Sequence, residues 1–232
     1  MTDTKASGRM QAGGKTTAAS TVFAALRREI LSGALPPGSR LRIDHLCQTY
    51  GVTINPVREA LNRLTAEQLV VLEDQRGFSV APVSHDEWRE LVRSRCLIEA
   101  CALREAMSNR TPVWEEGIVL SLYRLSRTAR FLDVENRVPN PDWELHHHAF
   151  HHALLASCNS RIILDFCEEM RERSDRYRRI AALSPTGPRL TQSEHKEIAD
   201  AVVGGEVEEA VKLLCAHYQR TLGVVEAHFE RK

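Results

Sequence analysis

Residues Pro36–Ala81 read PPGSRLRIDHLCQTYGVTINPVREALNRLTAEQLVVLEDQRGFSVA. Within this stretch Ile43 to Tyr50 forms a short helical run closed by Gly51, a residue type that ends helices in the left-handed conformation. Thr53 stands where a side-chain oxygen caps the next helix, which is expected to run through Ala66. Leu69–Glu73 and Phe78–Ala81 are rich in β-branched or aromatic residues and flank Asp74-Gln75-Arg76-Gly77, which predicts a small hairpin. Just upstream, Val22, Leu26, Ile30 and Leu31 share one helical face that ends at Gly33 and the Pro36-Pro37-Gly38 turn. Three helices running into a hairpin make a winged helix-turn-helix pattern, and such a unit is built to lay its second motif helix in the major groove of DNA.

Residues 1–19 are small, polar and glycine-containing, so they cannot bury enough apolar surface to offset the entropy of ordering and are expected to be a mobile tail. Beyond the hairpin, Pro82 breaks the pattern, and Ser84 with Glu87 makes a capping box that opens a long amphipathic helix through about Ser108. Further helices are expected from Thr111-Pro112, from Pro141, over Asn159–Ala182 with Asn159 as N-cap, from a second capping box at Thr191 and Glu194, and over Glu206–Glu230. The expected fold is therefore mainly α. A DNA-binding head with a hairpin wing occupies 20–83, and an all-helical antiparallel bundle occupies 84–232.

The chain has 31 Lys/Arg and 31 Asp/Glu. The balance divides unevenly, with ten basic against seven acidic residues over 1–83 and the acidic excess in the remainder. That asymmetry is too small to establish nucleic-acid binding, so the motif carries the expectation. The six cysteines fall in apolar helical patterns without a CxxC pair, which reads as packing rather than zinc or redox chemistry. No apolar run approaches the roughly 20 residues that span a bilayer, and the polar start lacks an apolar signal segment. A cytoplasmic protein without a membrane partner is expected.

Ile30-Leu31-x-Gly33-x-Leu35-x-Pro37-Gly38-x-x-Leu41, Gly51-Val52-Thr53, Pro56-Val57-Arg58-Glu59-Ala60-Leu61 and Arg76-Gly77 together resemble the winged helix-turn-helix of GntR-family bacterial transcription regulators. The resemblance implies that Asn55 and Arg58 read purine edges from the recognition helix. It makes Thr53 a cap and a phosphate contact, Arg40 and Arg42 backbone contacts, and Arg76 a wing-tip guanidinium for the minor groove, with Gly77 permitting the turn. Ile54 stands where the family usually carries arginine. An alkyl side chain reaches a thymine methyl or a sugar but cannot hydrogen-bond guanine, so the operator half-site is expected to differ from the family's usual one.

The segment LHHHAFHHALL, Leu145–Leu155, offers two histidine pairs at helical spacing, His147 with His151 and His148 with His152. Either pair could give a metal two imidazoles, and periodicity does not choose between them. Phe150-His151, Asn159, Glu194-His195 and Ala210 to His217 resemble, in that order, the FCD effector domain of the FadR-type GntR subfamily. That resemblance implies a metal held by His147, His151, His195 and His217, with His147 where the family usually has Asp. His146, His148 and His152 then fall to solvent or supporting roles, and Glu99 to a supporting carboxylate. All-imidazole ligation suits a divalent transition metal, zinc foremost, with nickel or iron as alternatives. Uncompensated ion charge favours an anionic effector, and Arg95 is placed by the same resemblance to meet its carboxylate. The expected molecule is a homodimeric regulator, a repressor in the usual family pattern and not an enzyme, with operator DNA and a small carboxylate as partners. Two alternatives stand beside it: a metal-free regulator that answers an acyl effector, and a metalloenzyme carrying a DNA-binding head, for which no general-base motif is visible.

Overall fold

The structure is a computed structural model that describes residues 17–135, 137–182 and 191–229. It divides into two compact units after Pro82. The first is built from α1 (Ala18–Ser32), β1 (Arg40–Leu41), α2 (Ile43–Tyr50), α3 (Ile54–Ala66), β2 (Val70–Glu73) and β3 (Gly77–Val80). Helix α1 begins inside the segment expected to be tail, because Thr17 in an extended conformation caps it: the Thr17 hydroxyl accepts from the Ser20 amide at 3.1 Å. Ala19 is consequently buried. The rest of the expected tail, residues 1–16, lies outside the described residues.

Val22, Leu26 and Ile30 of α1 pack with Val57, Ala60, Leu61 and Leu64 of α3, each stripe following the 3.6-residue period. Gly33 and Gly51 close α1 and α2 with φ of 82° and 63°, the left-handed region where a side chain would be strained. The wing is a three-stranded antiparallel sheet in the order β1-β3-β2, with Val70 opposite Val80 and Glu73 opposite Gly77. Its third member, the two-residue β1, pairs Arg40 with Ser79 and Leu41 with Phe78. So short a strand has no periodicity to read.

The second unit comprises α4 (His85–Ser108), α5 (Pro112–Arg127), β4 (Phe131–Asp133), β5 (Val138–Pro139), α6 (Pro141–Leu155), α7 (Arg161–Ala182), α8 (Thr191–Gly204) and α9 (Val207–Phe229). Helix α4 packs on α7 and α9, α5 on α6 and α8, and α8 on α9. The Ser84 hydroxyl accepts from the Glu87 amide at 3.1 Å and the Thr111 hydroxyl from the Trp114 amide at 3.2 Å, so both expected start signals operate. Asn159 does not cap α7. It adopts φ 56°, and the Ser160 hydroxyl instead accepts from the Ile163 amide at 3.4 Å. Thr191 is the first residue of α8 rather than its cap, and its side chain lies outside the described residues. The β4–β5 hairpin interrupts the otherwise helical unit. Asn140 secures it by donating from Nδ2 to the Ala129 carbonyl at 2.7 Å and capping α6 with Oδ1.

Leu61 is fully buried between α1 and α3. Leu61→Ala should destabilise the first unit by about 2–5 kcal/mol. Native-state hydrogen exchange of α1 and α3 amides should accelerate accordingly, while amides of α4 and α9 remain protected.

Candidate metal centre and nucleic-acid interface

In the first unit Arg40, Arg42, Arg58, Arg76 and Gly77 line one cleft of about 480 Å³, floored by Leu41, Ile43, Leu72 and Phe78. Four guanidiniums thus converge from β1, its flank, α3 and the wing turn, although they are widely separated in sequence. Arg76 has one acidic neighbour, Glu73 at 3.3 Å, and both are exposed. Such a surface pair is worth at most about 1 kcal/mol and exchanges readily for a phosphate. Asn62, one turn beyond Arg58 on α3, also lines the cleft. It was not singled out from the sequence, where nothing but its i+4 spacing from Arg58 marks it. Thr53, Ile54 and Asn55 lie outside that lining, exposed at the start of α3, with Ile54 at 44%. Thr53 occupies the N-cap position, but its side chain makes no capping bond. The expected cap therefore contributes only its backbone geometry.

In the second unit α6, α8 and α9 bring together His147, His151, His195 and His217, with one ligand atom from each lying within 4.8 Å of the others. Around a tetrahedral ion with bonds of about 2.1 Å the donors stand about 3.4 Å apart, so the widest pair must close by about 1.4 Å, a movement the two side chains share, to gather all four. Helical geometry resolves the register that spacing left open. His147 stacks on Trp143 at 4.7 Å and faces inward with His151, whereas His148 turns toward Glu168 at 3.7 Å and His152 is exposed.

The bonds behind the imidazoles select the form of each ring. Burial, and then the charge of Glu99, push the Tyr218 hydroxyl well above its usual range, so it stays protonated and donates to Glu99. Its single proton being committed there, the Tyr218 oxygen accepts from His151 Nδ1 at 3.3 Å. His151 Nε2 is then left with a bare lone pair, and it is buried with no hydrogen-bond partner among the described residues. At His217, Nδ1 lies 2.7 Å from Glu194 Oε2, so a neutral ring donates there and keeps its own lone pair on Nε2. Buried rings oriented in this way by carboxylates and hydroxyls are the environment of metal-ligating histidines. Burial first, then the neighbouring histidines and Arg178, hold His147 well below its usual value; burial, His217 and His195 do the same for His151. Both are kept in the neutral, ligating form. The donor set therefore fits a divalent transition metal.

Against these rings lies a cavity of about 20 Å³, lined by Trp88, Arg95, Ser174, Asp175, Arg171 and Arg178 among others. That is room for about one water molecule. Each of its arginines is already paired. Arg95 donates to Glu99 at 2.6 Å and covers the Tyr218 ring at 4.0 Å. Arg178 bonds Glu144 and Asp175, and Arg171 bonds Asp175 and Glu168. Although burial would raise it, Arg178 and Arg171 hold Asp175 below the usual carboxylate range. Glu194, Asp175, Arg171, Arg178 and Tyr218 are the contributors that sequence reasoning missed.

A family model described as "Bacterial regulatory proteins, gntR family" matches residues 18–80, and one described as "FCD domain" matches 90–220. The chain is 36% identical over 208 residues to the HTH-type transcriptional regulator BphR of Paraburkholderia xenovorans (strain LB400), covering 88% of this chain and 83% of that protein. It is 28% identical over 205 residues to the HTH-type transcriptional repressor GlaR of Escherichia coli (strain K12), covering 87% and 92%. Among solved structures, E. coli McbR/YncC superposes with a TM-score of 0.70 at 21% identity, covering 93% of this chain and 100% of that one. This chain belongs to the GntR family.

Membership fixes the broad role: a GntR protein with an FCD domain is a DNA-binding transcription regulator, not an enzyme. The arginine cleft falls inside the matched GntR segment, and the histidine cluster inside the matched FCD segment. Among the described residues no helix is long and apolar enough to cross a membrane.

The depressed histidines carry a pH signature for this GntR regulator. Unfolded histidines take up protons below about pH 6.5, while folded His147 and His151 resist protonation. The unfolded state binds more protons in that window, so stability should fall as pH drops below about 6.5 and level off above it. Thermal melts of chelator-treated protein from pH 8 to 5 should show this, and His151→Gln should flatten the curve.

Proposed function

We propose that this protein is a homodimeric, cytoplasmic repressor whose helical unit, 84–232, binds a small carboxylate beside a metal, most simply zinc, and so controls operator binding by the winged unit, 20–83. The observation that carries the reading is the convergence of four imidazoles on one point beside an arginine-lined cavity. When bound, the ion supplies a Lewis-acidic position for an anionic group. Arg95, and Arg171 or Arg178, would orient the remainder of the effector through forked contacts. Arg95, Arg171, Arg178 and Asp175 in the lining are charged groups that an acyl chain would have to desolvate, which weighs against the apolar-effector alternative. The repressor named among the relatives supports the sign of regulation.

Control is a shift of population, so the effector must bind one arrangement of the winged units better than the other. A route for that preference lies in Trp88. It lines the cavity and stacks on Tyr177 at 5.0 Å. The Tyr177 hydroxyl in turn accepts from the Ser84 amide at 3.4 Å and donates to Glu87. A ligand that displaces Trp88 therefore acts on the first turn of α4, directly after the boundary at Pro82. On the DNA side, Arg40, Arg42 and the Thr53 hydroxyl would hold phosphates, Arg76 at the wing tip would enter the minor groove with Gly77 permitting the turn, and Asn55 and Arg58 at the start of α3 would face the major groove.

Elemental analysis of protein purified without a histidine tag or added metal tests the first half. About one transition-metal ion per chain is expected, lost in His147→Ala, His151→Ala, His195→Ala and His217→Ala. Glu194→Gln should weaken metal binding about 10–100-fold by releasing His217, and His148→Ala should leave it unchanged. Unchanged stoichiometry in the four alanine variants would exclude the site. For the second half, Arg58→Ala should weaken binding to the operator in a mobility-shift assay by about 1–3 kcal/mol, with relaxed preference at one base pair. An unaltered affinity would remove Arg58 from base reading.

A further inference from the structure

We propose that Cys96 and Cys215 form an oxidation site, at which a hydroperoxide closes a reversible disulfide between α4 and α9. The two residues are 119 positions apart and meet across the packed helices. Cys96 Sγ donates to the Cys215 carbonyl at 3.9 Å, and Cys215 Sγ donates to the Cys96 carbonyl at 3.7 Å. Each thiol thus lies against the other residue's backbone, so both Cβ–Sγ bonds enter the same narrow interface from opposite sides. The thiols also interact side chain to side chain. A disulfide needs Cα atoms within about 7 Å and facing side chains, and the reciprocal contact places each sulfur against the other residue across two packed helices. Both residues are half-buried, so neither is sealed from a small oxidant in solvent. The remaining cysteines differ in setting: Cys158 and Cys167 are buried, Cys101 is exposed, and Cys47 lies in the first unit.

The reaction balances with the hydroperoxide as sole oxidant. One cysteine, as thiolate, attacks an oxygen of hydrogen peroxide; the O–O bond breaks, and hydroxide leaves and takes a proton to become water. The other thiol attacks the resulting sulfenic sulfur, the S–O bond breaks, a second water departs and the S–S bond forms. The two thiols have together lost two protons and two electrons, and the peroxide has become two waters. In a reducing compartment such bonds are transient and serve sensing rather than structure. The location gives the bond leverage. Cys96 directly follows Arg95, and Cys215 lies two residues before His217. The staple would therefore fix the spacing of the two helices that share the Arg95, Glu99 and Tyr218 contacts. The inference stands on the cysteine geometry alone and does not depend on the metal reading.

The test uses the full chain. Trypsin leaves Cys96 in the peptide Cys96–Arg104 together with Cys101, and Cys215 in Leu213–Arg220, so Cys101→Ser serves as the background. After brief treatment with a small excess of hydrogen peroxide and alkylation, a non-reducing digest should contain the two peptides joined, lighter than their sum by two hydrogens. Dithiothreitol should separate them, and the free thiols counted before reduction should have fallen by two. Cys96→Ser and Cys215→Ser, with circular dichroism to verify folding, should each abolish the linked peptide. Recovery of both peptides alkylated and unlinked, oxidation that stops at sulfinic acid on either cysteine, or links that only join separate chains would each overturn the proposal.

Discussion

The carboxylate of Glu99 is the constraint on which the helical unit turns. It is 3% exposed on α4, yet it serves two partners at once, accepting from Arg95 at 2.6 Å and from the Tyr218 hydroxyl on α9. Because the tyrosine's only proton is spent on Glu99, its oxygen is free to accept from His151 on α6, and that bond decides which nitrogen of His151 looks into the metal centre. One buried acid therefore ties α4, α6 and α9 together and sets the state of a ring it does not touch. Buried charge of this kind is costly unless every partner is present, and loss of one partner from such a pair typically costs about 3–5 kcal/mol. The network is consequently closer to all-or-none than to a sum of independent bonds.

The same network bears on how an all-histidine centre would manage the charge of a bound ion. With His147 in the place usually held by an aspartate, neutral imidazoles alone would leave a divalent ion uncompensated. That consideration, applied to the sequence, called for an anionic effector. The structure supplies carboxylates one bond further out, Glu194 behind His217 and Glu99 behind Tyr218 and His151. Around a bound ion, the negative charge an aspartate ligand would supply would instead be carried one bond further out by these two acids. With such an ion bound, an arriving anion would not be needed to neutralise it.

Much of the architecture could be read from the chain because it rests on local rules. The α1 and α3 stripes, the left-handed glycines at Gly33 and Gly51, and the capping hydroxyls of Ser84 and Thr111 all act within a few residues of themselves. What could not be read depends on pairs far apart in sequence. Strand β1 exists only because β3 lies alongside it. The run RERSDRYRR in α7, residues 171–179, has the i,i+3 and i,i+4 charge spacing of a solvated helix face. Nothing local reveals that Arg171, Asp175 and Arg178 turn toward a cavity under α4 and α6. Charged residues are so seldom buried that the exposed reading is the natural default. Glu194 was read as one half of a capping box, whereas its carboxylate is spent on His217. The histidines lay between these extremes. Spacing alone gave two equivalent pairs, and only the inward face of α6, fixed by Trp143, Phe150 and Leu154, separates them.

A cavity that holds about one water and is walled by paired arginines cannot admit a carboxylate as a passive guest. An incoming anion must take an arginine from an internal acid, Arg95 from Glu99 or Arg178 from Asp175 and Glu144. The exchange substitutes one carboxylate–guanidinium pair for another, so its net free energy is small even though each pair is strong. A small net free energy keeps the exchange readily reversible, and the switch then depends on how differently the two arrangements bind the effector. If Arg95 is the arginine taken, the released acid is Glu99, whose bonds to Tyr218 order His151; if the ligand instead presses on Trp88, the force passes to Tyr177 and the first turn of α4. Both routes would begin in the same cavity of about 20 Å³, and both would work by replacing contacts the protein already makes to itself.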